Sequence, residues 1–102
     1  MARKHPPSVR YEDHLLGDLQ DPAAAAAYIE AALEETPEAL LLALRDVAKA
    51  HGIAKVARKA KLARESLYKT LSKHGNPELE TVNRLLHAMG MRLSVSPWDR
   101  AA

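Results

Sequence analysis

Residues 53–73, IAKVARKAKLARESLYKTLSK, set small or apolar side chains at Val56, Ala57, Ala60, Leu62, Leu67 and Leu71. Val56, Ala57 and Ala60 fall on one face of a first short helix, and Ala57 is small enough to let a second helix come close. Leu62 fills the corner, while Leu67 and Leu71 form the i, i+4 inner face of that second helix. The positions between are basic or polar: Lys55, Arg58, Lys59, Lys61, Arg64, Glu65, Ser66, Tyr68 and Lys69. One side is neutral and the other positive. Two short helices meeting at a tight turn need that inner set, so the spacing predicts a helix-turn-helix, the unit that lays its second helix in the DNA major groove.

The charge distribution agrees. From Tyr11 to Leu44 there is no Lys or Arg, while Glu12, Asp13, Asp18, Asp21, Glu30, Glu34, Glu35 and Glu38 supply eight negative charges. From Arg45 to His74 nine basic residues stand against Asp46 and Glu65, so 9 − 2 = +7. The net +2 of the 102-residue chain therefore conceals two opposed fields, which points to two different partners. The plainer alternative is a pair of solvated helix faces, but the positive block coincides with the helix-turn-helix spacing.

Outside this unit the chain reads as an arm over residues 1–20, a helical DNA-binding domain over 21–98 and a tail over 99–102. Pro6, Pro7 and Gly17 break the arm, and Tyr11, Leu15, Leu16 and Leu19 are the residues able to tack it down. Asp21-Pro22 starts a first helix: Asp accepts from free amides, and Pro in the first helical position loses no bond. That helix carries Tyr28, Ala32 and Leu33 inward. Thr36-Pro37 repeats the signal for a second helix, which buries Leu40, Leu41, Leu44, Val47 and Ala48 and closes at His51-Gly52. After the two helices of residues 53–73, Gly75-Asn76-Pro77 breaks the chain. A fifth helix, roughly 78–89, places Val82, Leu85, Leu86 and Met89 on one face. Met91 to Val95 then alternates with period two, the pattern of a half-buried strand.

A single strand leaves its backbone groups unpaired. Pairing with the same strand of a second copy is the economical solution, with Met91, Leu93 and Val95 at a homodimer interface. A short extended tail lying on the helices is the alternative. The fold class expected is all-α, five helices with a helix-turn-helix, plus a short C-terminal β-strand.

The motifs AAYIEAALEE, LLLALRDVAKAHG, ARESLYKTLS, HGNPELETV and LLHAMGMRLSVSP resemble the addiction-module antidote proteins. That group reads close to YLEAALEE, LRDVARARG, LSRESLYKALS, GNPTFATV and LRALGLRLSV. The likeness covers about three quarters of the chain, from Asp21 to Pro97, and ARESLYKTLS followed by GNP is its most specific part. The resemblance implies a HigA-like antitoxin with a lambda-repressor-like fold, encoded beside a RelE/ParE-type toxin. Two positions depart from the group. Lys61 stands where the turn usually has Gly, and Ala63 where the second helix usually has a Ser cap. A non-Gly residue in the left-handed region costs roughly 1–2 kcal/mol, and a missing cap about 0.5–2 kcal/mol.

On this reading Arg64, Glu65 and Tyr68 meet base edges or the groove, with Ser66 and Lys69 beside them. Lys55, Arg58, Lys59, Lys61 and Lys73 hold phosphates of double-stranded operator DNA. Arg64 is the first candidate base reader, because its planar fork matches the two acceptors of guanine. The resemblance supplies the toxin, and Tyr11, Leu15, Leu16 and Leu19 are candidates to hold it; packing on the first helix is the competing role for those four. The absence of Cys removes disulfides, thiolate zinc sites and thiol nucleophiles. His5, His14, His51, His74 and His87 lack i, i+4 ligand spacing, and no HExxH, GxSxG or phosphate-cradling loop occurs. Neither an enzyme nor a cofactor is expected. No apolar run is long enough to span a bilayer, so the expected location is the cytoplasm, with no membrane partner. A helix-turn-helix regulator of prophage type without a toxin, and a module binding acidic protein, are the alternatives.

Overall fold

The computed structural model describes residues 17–99, and among them the secondary structure is entirely helical. Five helices follow one another: α1 (Pro22–Leu33), α2 (Pro37–His51), α3 (Ile53–Ala60), α4 (Arg64–Thr70) and α5 (Leu79–Ala88). Both expected start signals form. The Asp21 carboxylate accepts from the Ala24 amide at 3.2 Å, and the Thr36 hydroxyl from the Ala39 amide at 2.9 Å, with proline in the next position each time. Gly52, at φ 99°, ends α2 and is the single residue before α3.

α1 lies against α2, α3 packs on α5, and α3 also touches α2 and α4. One core gathers Ala25 and Ile29 of α1, Leu41, Leu44, Val47 and Ala48 of α2, Val56, Ala57 and Ala60 of α3, Leu67 and Leu71 at α4, and Leu85, Leu86 and Met89 at α5. Leu40 and Val82 are only half-buried. Leu33, expected inward, is 60 % exposed. As the last residue of α1 it overhangs an apolar cleft shared with Leu86, Met91 and Leu93 instead of meeting a neighbouring helix.

Two helix ends share one chemistry. Beyond α5, the Met91 amide donates to the Leu86 carbonyl at 2.8 Å and the Gly90 amide to His87 at 3.1 Å, with Gly90 at φ 84°. Beyond α3, the Leu62 amide donates to Ala57 at 2.8 Å and the Lys61 amide to Arg58 at 3.2 Å. Both are the paired closing bonds of a Schellman end. In the second, the left-handed position belongs to Lys61, at φ 60° and ψ 45°, rather than to a glycine. The turn keeps its shape and Lys61 bears the strain.

The expected C-terminal β-strand is absent among the described residues, and residues 91–99 run without regular structure. A ladder needs a facing backbone, and these residues have none within the described chain. The Met91 amide is already committed to closing α5. Met91 is half-buried against the core, whereas Leu93 is 44 % and Val95 98 % exposed. Trp98 is also largely exposed. His74 lies in the loop past Thr70, the last residue of α4.

Ala63 has the extended backbone of a helix cap, φ −69° and ψ 145°, but no side-chain oxygen to offer the first amides of α4. Ala63→Ser should therefore raise unfolding free energy by about 0.5–2 kcal/mol. Urea denaturation measures this, and an unchanged midpoint would mean that those amides are already satisfied.

Candidate nucleic-acid interface

α3 divides its residues as a 3.6-residue period requires. Ile53, Val56, Ala57 and Ala60 are buried, while Lys55, Arg58 and Lys59 are exposed. α4 is anchored by Leu67, and Leu71 follows at its end; both are fully buried. Arg64, Glu65, Ser66 and Lys69 project outward from this helix. Lys61 in the turn and Lys73 after α4 are exposed as well. Nine of the ten residues expected at DNA thus stand on the surface. Glu65, the one acid among them, sits in the first turn of α4, where the amide end of the helix favours negative charge.

Tyr68 differs from the other nine. It is half-buried against the core, and the Arg45 guanidinium carbon lies 5.6 Å from its ring centroid. A cation over an aromatic face is worth roughly 0.5–1 kcal/mol when exposed and more when desolvated. This contact links α2 to α4. Arg45 was not among the expected site residues, since its cation belongs to a different helix 23 positions away in sequence (68 − 45).

Arg84 and His87 of α5 were also missed. Together with Lys59 and Lys61 they line an open cleft of about 400 Å³. The Nε atoms of Arg45 and Arg84 are buried without a hydrogen-bond partner among the described residues. In sequence, α5 reads only as an apolar face with polar residues between. The packing of α3 on α5 is what brings Arg84 to the turn at Lys61. Past α4, the Ser72 hydroxyl donates to the Lys69 carbonyl at 2.8 Å, and the Gly75 amide donates to Ser72 at 2.9 Å. The loop carrying Lys73 and His74 is folded tightly back on the helix end.

Of the residues expected to hold a toxin, Tyr11, Leu15 and Leu16 lie outside the described residues. Leu19 is only 2 % exposed and belongs to the core, the packing role that competed with toxin contact. Gln20 beside it donates from Nε2 to the Ala50 carbonyl at 3.1 Å, fixing this part of the chain to the end of α2. No helix among the described residues is long and apolar enough to cross a membrane, and no group of three His, Asp or Glu side chains is placed to hold a metal.

A family described as probable addiction module antidote proteins matches residues 13–97. An uncharacterized protein of Haemophilus influenzae is 40 % identical over 62 residues, which cover 61 % of this chain and 64 % of that protein. The chain thus spans a little under two thirds of its relative's length. No solved structure matches.

Proposed function

This chain belongs to the family of probable addiction module antidote proteins, and on that premise we propose that it is a HigA-like, DNA-binding antitoxin. It neutralises a RelE/ParE-type toxin encoded beside it and represses their shared operon. α3 and α4 act as a helix-turn-helix in a lambda-repressor-like domain, with α4 in the major groove. Two copies read two half-sites about 34 Å apart. The observation that carries this reading is the division of α3 and α4 into a neutral buried side and an outer side bearing Lys55, Arg58, Lys59, Lys61, Arg64 and Lys69. A duplex requires that combination: cations for phosphates, and a rigid helix to present a few side chains to base edges.

Arg64 and Lys59 separate the two kinds of contact. Arg64→Ala should cost about 1–3 kcal/mol on the operator and relax preference at one position. Lys59→Ala should weaken binding to all duplexes alike and reduce the slope of log affinity against log salt by about one. Gel-shift titrations on the operator and on unrelated DNA measure both. Unchanged operator affinity in Arg64→Ala would remove α4 from the role of reading helix. Co-purification with the product of the neighbouring gene separates the antitoxin from a regulator that has no toxin.

A further inference from the structure

α1 and α2 form a surface unlike that of α3 and α4. Residues Tyr28, Ala31 and Glu35 on the α1 side and Ala39, Leu42 and Asp46 of α2 line an open cleft of about 360 Å³. The α2 residues lie at i, i+3 and i+7, a stripe distinct from the Leu41, Leu44 and Ala48 stripe that faces the core. The sides of the cleft are small and apolar, yet Leu42 remains 45 % exposed between buried Leu41 and Ala43. Glu35 and Asp46 supply negative charge along it, with Glu30, Glu34 and Glu38 on the same helical pair.

No cation from residues 17–44 offsets these charges. The first one, Arg45, lies over the Tyr68 ring on α4. Asp46, its neighbour, lines the cleft and accepts from the Tyr28 hydroxyl at 2.6 Å through Oδ2. A carboxylate has capacity for further donors after such a bond. Adjacent residues of α2 therefore reach different helices, Arg45 meeting Tyr68 of α4 and Asp46 meeting Tyr28 of α1.

We propose that this cleft is the toxin-docking surface, and that it takes a basic amphipathic segment. An apolar side chain of that segment seats beside Leu42, and its Lys or Arg groups reach Glu35 and Asp46. The proposal rests on the antitoxin reading and adds the place and chemistry of the contact. The acidic rim repels a duplex, so DNA and toxin occupy separate faces and bind together. The basic face of a second copy is complementary in charge, but such a head-to-tail contact does not close and would cover the surface reserved for DNA. Opposed fields speed encounter and exclude wrong partners, while the apolar seat holds the complex.

The test uses the full chain and the purified product of the adjacent toxin gene, titrated by calorimetry. Leu42→Arg and Ala31→Arg both place a cation in the cleft at exposed positions, so folding is preserved, and thermal melts verify that. Each should weaken toxin binding at least about tenfold, as expected for a change at the centre of an interface. Operator affinity should be unchanged or slightly raised. Glu35→Gln should flatten the salt dependence of toxin association. Unchanged toxin affinity in both Arg variants would overturn the proposal while leaving the antitoxin reading intact. Loss of self-association with toxin affinity unchanged would identify a second copy as the occupant and overturn it too. Tighter toxin binding in the Arg variants would assign the cleft to the chain's own basic N-terminal residues, Arg3, Lys4 and Arg10, with the same consequence. A wild-type chain that fails to bind the toxin would overturn the antitoxin reading itself, and the docking surface with it.

Discussion

Leu67→Ala should lower the unfolding free energy by about 2–5 kcal/mol, the range for removing a buried leucine from a core that relaxes only in part. Leu67 has no exposed surface, and its backbone sits in the middle of α4, donating to the Ala63 carbonyl and accepting from the Leu71 amide, both at 3.0 Å. At seven residues, α4 is far shorter than a helix that stands alone in water, so its helicity depends on docking through Leu67 and Leu71. A domain of this size has roughly 5–15 kcal/mol in total, and the loss is a large share of that. Urea denaturation followed by far-ultraviolet circular dichroism should show an earlier midpoint with an unchanged slope. Operator binding should weaken for every sequence, because the helix is no longer held at its angle. Arg64→Ala makes the opposite pattern: weaker binding and unaltered stability. A stability change below about 1 kcal/mol in Leu67→Ala would mean that this part of the core collapses around the missing atoms.

The contrast between Leu67 and Arg64 explains why this region was legible in sequence. A helix with a buried and an exposed face writes its period into the chain, and Val56, Ala57, Ala60, Leu67 and Leu71 occupy the core as their spacing requires. The caps at Asp21 and Thr36 were legible for a similar reason, since the oxygen, the proline and the receiving amide lie within four consecutive residues. What depends on distant packing was not legible. Arg84 meets the neighbourhood of Lys59 and Lys61 only through the docking of α3 on α5, and Arg45 meets Tyr68 only once the helices are assembled. Leu33 has the composition and register of a core residue, but at the end of α1 it meets a cleft. The alternation at residues 91–95 is real, yet period two predicts a strand only where a second backbone is present to pair with.

Lys61 shows where local rules and tertiary demands diverge. A lysine in the left-handed region is disfavoured, and the sequence alone leaves open whether the turn changes shape or the residue accepts the strain. The two closing bonds at 2.8 and 3.2 Å, with Leu62 packed on the core, hold the backbone in that region. The cost buys a cation beside Lys59, Arg84 and His87 on the face proposed for DNA. Stability is exchanged for positive charge in the turn.

Gly75→Ala should be strongly disruptive for a single added methyl group. A Cβ at this position would stand 1.9 Å from the Thr70 carbonyl oxygen, 2.7 Å from its carbon and 3.2 Å from the Lys69 oxygen. All three are backbone atoms at the end of α4, so no side-chain rotation can relieve the clash. Either the loop after Ser72 lifts away or the last turn of α4 opens. Lifting the loop breaks the bond from the Gly75 amide to Ser72; opening the turn breaks the bonds that close α4 at Leu71 and Ser72. Overpacking of this kind costs roughly 1–3 kcal/mol and occasionally more, and contact with rigid backbone puts the expectation at the upper end. Lys69 and Lys73 lie on either side of the displaced segment, so operator affinity should fall along with stability. Gly17→Ala is the control, since a Cβ there meets nothing within 4 Å among the described residues. Thermal melts of the two variants should separate them by more than about 5 °C, given about 4–8 °C per kcal/mol for a domain of this length. Coincident melts would show that the loop after α4 moves freely enough to admit a methyl group, and operator binding would then not depend on its fold-back.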